Sequence, residues 1–230
     1  MPTKTSELSP QGEETEVLPK KHYPQNINNN VVTILQKWVV IEEISPHHVT
    51  HEMIQEVLSV SCQWFWIAMT YEDIKNHLSG SERIFLIKER WVIQGFSSTK
   101  TLNGMVYHYG TVISPRLQGS GIFTQLNEWI IQAHPVMFLR TQNQNIIASF
   151  EKLWAKVYLG TQAFERMSWI TQKAHFDDFF GNACFEDGIF KWVYGAYLGT
   201  EQTVQFITDS MYPGMQPQEG DALLVLIEKN

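Results

Sequence analysis

The segment TVISPRLQGSGI, residues 111–122, joins a β-branched run to an amphipathic run through a loop that contains two glycines. Before it, the apolar and aromatic residues 105–113 predict a strand that ends ahead of Pro115. After it, apolar side chains recur at helical spacing and predict a helix over residues 119–133; they are Ile122, Phe123, Leu126, Trp129 and Ile130. The segment therefore predicts a strand–loop–helix unit.

Such a unit is typical of an anion site. Glycines let the backbone approach a ligand closely, and the first N–H groups of a helix have no partners within it. With the positive end of the helix dipole, these donors suit a pyrophosphate. A tight turn that needs glycine only for its geometry is the alternative. The segment lacks the Gly-Lys-Ser/Thr of a Walker loop and the glycine spacing of a Rossmann fingerprint, so neither of these nucleotide sites is predicted.

These residues resemble the signature of the GNAT acetyltransferase superfamily, in which Arg/Gln-x-x-Gly-x-Gly/Ala follows a strand ending in hydrophobic-x-Pro. Ile113 and Pro115, followed by Arg116, Gly119 and Gly121, match that signature in order and spacing. A second block, LRTQN at residues 139–143, resembles the family's next strand, which diverges from the first and opens a cleft. The resemblance spans roughly residues 83–160.

The resemblance implies acetyl-CoA, or another acyl-CoA, as co-substrate. Its pyrophosphate is expected at the glycine loop, and its pantetheine arm along the edge of the preceding strand and near Asn143. A backbone N–H on that edge is expected to polarise the thioester carbonyl. The implied binding residues are Thr111, Val112, Ile113, Arg116, Leu117, Gln118, Gly119, Ser120, Gly121, Ile122 and Asn143.

The general base that the resemblance implies is not found where the family often has it. A carboxylate is common on the strand before the loop, but the corresponding positions hold Tyr109 and Met105. His108 is the nearby side chain whose ordinary pKa suits a base at neutral pH. Strict alternation would put Thr111 and Ile113 on the face opposite His108, and a bulge would change this. Tyr109 and His108 are both catalytic candidates.

The family's usual general acid is a tyrosine seven residues after an asparagine. Counted from Asn143, that position holds Phe150, which has no proton to donate. Tyr158 could replace it only if the helix predicted over residues 145–158 is shifted. These gaps leave a second interpretation open, a non-catalytic acyl-CoA-binding or regulatory module. A third is an interaction protein whose glycine turn is only structural.

The whole chain predicts a mixed α/β fold. Residues 1–30 are polar and predict a flexible tail, and residues 31–230 a single domain with a twisted, largely antiparallel sheet and helices on both faces. An acyl-CoA cleft is expected between strands at residues 105–113 and 136–141. Further strands are predicted at residues 31–44, with a bend near Gln36-Lys37, and at residues 83–88, 91–97, 190–198 and 222–227. Helices are predicted after Ser45-Pro46 and over residues 71–78.

Composition limits the partners. A formal charge of -7 with no basic stripe argues against a nucleic-acid binder. Cys62 and Cys184 cannot form a disulfide framework, and no signal peptide or membrane span is evident, so a cytoplasmic protein with no membrane contact is expected. His47 and His51 have i,i+4 spacing but no third ligand, so no metal is expected. The predicted activity is transfer of an acyl group, most simply acetyl, to a small-molecule or peptide amine, and a homodimer is possible.

Overall fold

The computed structural model of the protein describes residues 32–36, 38–64, 69–102, 104–171, 184–191, 194, 207 and 211–230. The predicted tail, residues 1–30, lies outside the described residues. The strand predicted over residues 190–198 falls within them only at residues 190, 191 and 194.

The first half of the chain alternates strands with two helices. A 3-10 turn at Pro46–His48, capped by the Ser45 hydroxyl, precedes the first helix, which therefore begins later than Ser45-Pro46 suggested. Thr70 and Asp73 form a capping box for the second helix. The strand predicted over residues 31–44 with a bend near Gln36-Lys37 is divided there into two strands, the first ending at Gln36 and the second beginning at Val39. The elements are β1 (Val32–Gln36), β2 (Val39–Ile44), α1 (His51–Trp64), α2 (Tyr71–Ser79), β3 (Arg83–Glu89), β4 (Val92–Leu102) and β5 (Met105–Ile113).

The second half supplies the remaining elements. The prediction of a helix over residues 145–158 is wrong about where the helix ends. The helix stops at Glu151, and Trp154 has a φ of 58°, outside the helical region. Tyr158 lies in the strand that follows. The helix predicted from Gly119 begins at Ile122. The elements are α3 (Ile122–Ala133), β6 (Val136–Thr141), α4 (Gln144–Glu151), β7 (Lys156–Leu159), α5 (Gly160–Thr171), β8 (Cys184–Glu186), β9 (Ile189–Lys191) and β10 (Ala222–Glu228).

The ten strands of the described residues form one sheet in the order β1-β2-β3-β4-β5-β6-β10-β9-β8, with β7 paired to β10. Every pair is antiparallel except β5 with β6, which are parallel. The predicted class, a mixed α/β fold with a largely antiparallel sheet and flanking helices, is confirmed.

The helices cover both faces of the sheet. Strand residues alternate between faces: Phe85 and Val106 pack in one apolar cluster with α3 and α4, whereas their neighbours Leu86 and Tyr107 pack on the other face. On that second face, Leu86 joins a cluster with α1 and α2, and Tyr107 joins a cluster with α5. No helix in the described part of the chain is long and apolar enough to cross a bilayer.

A β-bulge in β5 changes which residues share a face. Ser98 pairs with Gly110 and Thr99 with His108, so Tyr109 is the extra residue. Beyond it, Val112 packs in the α1–α2 cluster and Ile113 against the α3–α4 cluster. The strict alternation expected for β5 is therefore wrong at its end, because Thr111 and Ile113 lie on the same face as His108.

The bulge lies just beyond the point where β5 stops pairing with β6. β5 and β6 pair only at Val106↔Met137 and Tyr107↔Phe138. Among the described residues, no strand pairs with residues 108–113 on the side away from β4. A free strand edge thus leads from the middle of the sheet to the glycine loop.

Candidate functional site

The loop between β5 and α3 owes its shape to its two glycines. A 3-10 turn at Pro115–Leu117 follows Ser114, and α3 begins at Ile122. Gly119 has a φ of 73° and Gly121 a φ of 82°, a left-handed conformation that side chains with a Cβ rarely adopt. Gly121 is the N-cap of α3, and no side chain caps the helix. The loop therefore offers bare backbone at the positive end of α3.

The backbone donors of this loop are only partly used. Gln118 donates to the Pro115 carbonyl, Ser120 to the Leu117 carbonyl and Gln125 to the Gly121 carbonyl. A Cβ on Gly119 would meet nothing within 4 Å, and one on Gly121 only the Gln125 side chain at 4.0 Å. Within the described ranges, no acceptor contacts the N–H groups of Gly119, Gly121, Ile122, Phe123 and Thr124. These donors adjoin open space, which is the arrangement an anionic diphosphate requires.

The side chains of the loop are mostly engaged elsewhere. Leu117 and Ile122 are buried in the α3–α4 cluster and anchor the loop. Arg116 is exposed and pairs with Glu89, Nη2 to Oε2 at 2.8 Å. Gln118 donates from Nε2 to the Ile113 carbonyl at 2.9 Å, and the Ser120 hydroxyl donates to the Leu117 carbonyl. The loop therefore offers a ligand the backbone N–H groups of Gly119 and Gly121, and Arg116 is its side chain with accessible charge.

The free edge of β5 presents main-chain groups beside the loop. The Ser114 N–H donates to the Gln94 carbonyl, so Ser114 faces β4. Because backbone direction alternates along an antiparallel strand, Val112 also faces β4, whereas Thr111 and Ile113 direct their N–H and C=O groups to the free edge. The Val112 side chain is buried. An extended chain lying along this edge would find donors and acceptors at Thr111 and Ile113.

His108 is held in a polar triangle under this edge. Its Nε2 lies 2.7 Å from Ser97 Oγ and 2.8 Å from Thr111 Oγ1, and the Thr111 hydroxyl also donates to Ser97 Oγ at 2.8 Å. Burial lowers the pKa of His108 to about 4, so the imidazole is neutral at neutral pH. Thr111 is half-buried and therefore links the ring to the strand edge. Ser97 was not predicted as a site residue. The sequence feature that could have indicated it is the pair of small polar residues, Ser97 and Ser98, within an otherwise apolar strand.

The structure separates the other two catalytic candidates from His108. Tyr109 lies on the opposite face, stacked on the ring of His77 with centroids 4.2 Å apart. Tyr158 lies in β7, which β6 and β10 separate from β5, and its hydroxyl donates to Glu228 at 3.4 Å. Phe150, at the position of the family's usual acid, is fully buried in the α3–α4 cluster. The geometry thus leaves His108, with Thr111, as the acid–base group nearest the loop.

Asn143 lies across the gap from β5, directly after β6. Its Oδ1 accepts from the Asn145 N–H at 2.9 Å and so caps α4, and its own N–H donates to Thr141 Oγ1 at 2.9 Å. In the described part of the chain, no acceptor contacts its amide nitrogen. Asn143 can cap the helix and still offer a donor to a ligand in the cleft.

The candidate metal ligands of the sequence have other partners. The two ring nitrogens of His51 contact the Tyr71 hydroxyl and the Gln55 amide, each at 2.8 Å. No group of three or more His, Cys, Asp or Glu side chains in the described residues is arranged to hold a metal ion.

Comparison with known proteins gives structural likeness without sequence likeness. No family model matches the chain, and no curated protein matches it. Many solved structures similar to it are GNAT-family acetyltransferases. One is the ribosomal-protein-S18-alanine N-acetyltransferase of Escherichia coli, with 11% identity, a TM-score of 0.49, and coverage of 81% of this chain and 92% of that one.

Two further similar structures are GNAT-family acetyltransferases. The one from Streptococcus pneumoniae has 14% identity and a TM-score of 0.45, covering 83% of this chain and 99% of its own. The one from Elizabethkingia anophelis, with acetyl-CoA bound, has 13% identity and a TM-score of 0.44, covering 84% of this chain and 100% of its own.

Proposed function

We propose that this protein is an acyl-CoA-dependent N-acyltransferase that transfers an acetyl group from acetyl-CoA to a primary amine by direct attack. The observation that carries the proposal is the set of backbone N–H groups at Gly119 and Gly121–Thr124 that have no acceptor among the described residues, at the end of the free β5 edge. A turn that used glycine for geometry alone would not require an unpaired strand edge leading to it.

The residues fit acyl-CoA in two places. The loop N–H groups and the dipole of α3 would bind the diphosphate, and the open space at Gly119 and Gly121 leaves room for it. The N–H and C=O groups of Thr111 and Ile113 would pair with the pantetheine amides, with the Asn143 amide nitrogen on the other side of the gap. When bound, the thioester supplies an activated acyl carbon, and this chain's groups would orient it.

The chemistry needs positioning and one proton acceptor. Attack forms a C–N bond and breaks the C–S bond, and the amine must lose a proton. His108 is neutral and would accept that proton through the Thr111 hydroxyl, with Ser97 fixing both groups. A free-edge N–H of β5 would stabilise the negative charge that develops on the thioester oxygen. A thiolate leaves without much help from an acid, so the buried Phe150 does not exclude turnover.

A non-catalytic acyl-CoA-binding module is the second candidate. The observations that favour it are the weakly basic, buried imidazole of His108 and the apolar Phe150 at the place of the usual acid. The two candidates share the binding site and differ in whether CoA thiol is released when an amine is added.

The first experiment is titration of acetyl-CoA into the protein by calorimetry. The matched variants are Gly119→Asp/Gly121→Asp and Gly119→Asn/Gly121→Asn, since Asp and Asn both tolerate a left-handed backbone and differ only in charge. We expect the Asp pair to weaken binding at least about 100-fold, as like charge faces the diphosphate, and the Asn pair to weaken it much less. Gly104→Asp is the control, because Gly104 has a φ of 80° and open space around it in the β4–β5 turn.

Three outcomes decide between the candidates. If the wild type binds no acetyl-CoA, CoA or longer acyl-CoA, the proposal is overturned and the glycine loop is a structural turn. If it binds, and the Asp pair alone is impaired, the site is established. Thiol release with a panel of primary amines then identifies an acyltransferase, and its absence with every amine identifies the binding module.

A further inference from the structure

Arg140 occupies the place where β5 and β6 separate. It follows the last pair of the two strands, Tyr107↔Phe138, by two residues on β6. Leu139 packs in the α3–α4 cluster, so alternation puts Arg140 on the other face, with Tyr107 and Phe138. Its side chain thus lies beside the same gap as His108 but on the opposite face of the sheet.

Aromatic rings surround the guanidinium. Its central carbon lies 5.4 Å from the centre of the Tyr194 ring, and its charge acts on the phenols of both Tyr194 and Tyr107. Tyr109 extends the wall, its ring 5.6 Å from that of Tyr107, and His77 stacks on Tyr109. The Tyr194 hydroxyl also donates to the Arg140 carbonyl at 3.3 Å, which fixes its position.

Among the described residues, no negative charge compensates the Arg140 guanidinium. Burial raises the pKa of Tyr107 and of Tyr194, so both phenols are neutral. Burial and then the charge of Arg140 lower the pKa of His77 to about 4, so that ring is neutral as well. Within the described residues, no carboxylate forms an ion pair with Arg140, whereas Arg83, Arg116 and Arg166 each pair with a glutamate.

A half-buried guanidinium with only neutral partners is an incomplete arrangement. Removing a charge from water is costly unless an opposite charge replaces the hydration, and the planar fork of arginine suits a carboxylate by two parallel hydrogen bonds. The phenols supply rigid aromatic walls that would hold an apolar group beside that carboxylate.

We propose that Arg140 binds the carboxylate of the acceptor, so that the acceptor is an amino acid whose amine reaches the cleft while its carboxylate lies on the Tyr107–Tyr194 face. This inference rests on the proposed function. It assigns recognition of the amino acid to the face of the sheet opposite the one that carries His108. The acyl-CoA and the amino acid would then approach the gap between β5 and β6 from different faces of the sheet.

The test measures binding, so it does not depend on turnover. N-acetyl derivatives of glycine, leucine, phenylalanine and glutamate, each beside its own carboxamide, are titrated into the CoA-saturated protein by calorimetry. We expect at least one N-acetyl amino acid to bind at least about 30-fold more tightly than its carboxamide, a ratio in the range of a charge-assisted bidentate pair. In Arg140→Gln we expect this preference to fall to about one. Arg166→Gln, an exposed arginine of α5 with its own glutamate partner, should retain it.

The failure of this inference is distinct from that of the proposed function. If acetyl-CoA binds and amines are acetylated, but no derivative is preferred over its carboxamide in the wild type, Arg140 does not select a carboxylate and only this inference is overturned. The wild-type comparison decides this even if Arg140→Gln does not fold. Tyr194→Phe supplies a milder second variant, which should reduce the preference by loss of one hydroxyl without altering acetyl-CoA binding. A preference unchanged in both variants would also overturn the inference.

Discussion

The ring of Tyr109 lies flat against the ring of His77, with centroids 4.2 Å apart and planes inclined by 5°. Tyr109 is the extra residue of the β5 bulge, and the next residue, Gly110, has no side chain to keep the imidazole away. A Cβ on Gly110 would lie 2.8 Å from both Cε1 and Nε2 of His77. One imidazole of α2 thus packs on two consecutive residues of β5 and supports the bulge from that side.

Gly110→Ala should therefore be destabilising. The new methyl group must displace the His77 ring, which also binds Ser98 Oγ at 2.9 Å, and we expect a loss of about 1–3 kcal/mol in the free energy of unfolding. In Gly110→Ala/His77→Ala the displaced ring is gone, so the double variant should lose at least about 0.5 kcal/mol less than the sum of the single losses. Urea unfolding measures all four proteins. Strict additivity would show that the two residues do not compete for space.

Gly188 and Gly104 form a matched pair for separating backbone strain from packing. Their φ angles are 83° and 80°, but a Cβ on Gly188 would lie 2.0 Å from the Gly160 backbone, whereas one on Gly104 would meet nothing. Gly104→Ala should cost about 1 kcal/mol through strain alone. Gly188→Ala should cost several times more, about 3 kcal/mol or above, because backbone must move. Thermal or urea unfolding measures both variants. An equal loss in the free energy of unfolding would contradict the close approach of Gly188 to the Gly160 backbone.

The buried imidazole of His108 should make stability depend on pH in a defined direction. Its pKa is about 4 in the folded chain and near 6.5 when unfolded, so below pH 6.5 the unfolded chain takes up a proton that the folded chain does not. The free energy of unfolding should fall from pH 7 to pH 5 by about 2 kcal/mol for this group, with no further loss below pH 4. His108→Gln should show a correspondingly smaller fall. Urea unfolding at pH 7 and pH 5 measures this free energy for the wild type and for His108→Gln. An equal fall in the two proteins would show that His108 is not the source of the pH dependence.

Arg116 and Glu89 should affect acetyl-CoA binding in opposite directions. Arg116 is exposed and paired with a largely buried Glu89, so a diphosphate at the loop competes with that carboxylate for the guanidinium. Arg116→Gln should weaken binding about 3- to 10-fold, and the loss should shrink at high salt. Glu89→Gln should leave binding unchanged or tighten it. A weaker affinity in Glu89→Gln, by calorimetry, would indicate that the ion pair shapes the loop instead.

The Thr111 hydroxyl should matter for turnover more than for cofactor affinity. Thr111→Val keeps the shape but cuts the link from the cleft to His108, and kcat with any accepted amine should fall at least about 100-fold, the lower end of one acid–base contribution. Thr111→Ser retains the hydroxyl and should keep most of kcat. Acetyl-CoA affinity should change little in either variant. If Thr111→Ser is as impaired as Thr111→Val, packing of the methyl group and not proton transfer is the reason.

Features carried by short stretches of sequence were predictable. The ends of β6 and the capping box of α2 follow from residues adjacent in the chain, and the glycine loop follows from its flanking strand and helix. A bulge in β5 was an alternative that the sequence offered, but its position at Tyr109 was not predictable, because His77, more than 30 residues earlier, packs against that residue. The end of α4 was missed because residues 152–158 have no helix breaker, and tertiary pairing of β7 with β10 overrides their local preference. The polar triangle around His108 and the neutral surroundings of Arg140 likewise depend on contacts between distant segments.

The junction between β5 and β6 has a consequence for adaptation. Main-chain hydrogen bonds join the two halves of the sheet over only two residue pairs, so side-chain packing must help to hold the halves together. The α3–α4 cluster does so on one face, with Val106 from one half and Val225 from the other. The width of the slot is then set by the volume of side chains beneath it. Substitutions in that cluster, remote from every group that touches a substrate, could widen or narrow the slot and change the acyl chain it admits. Substitutions in the α3–α4 cluster can therefore change the width of the slot between β5 and β6 without changing the glycine loop or its N–H donors.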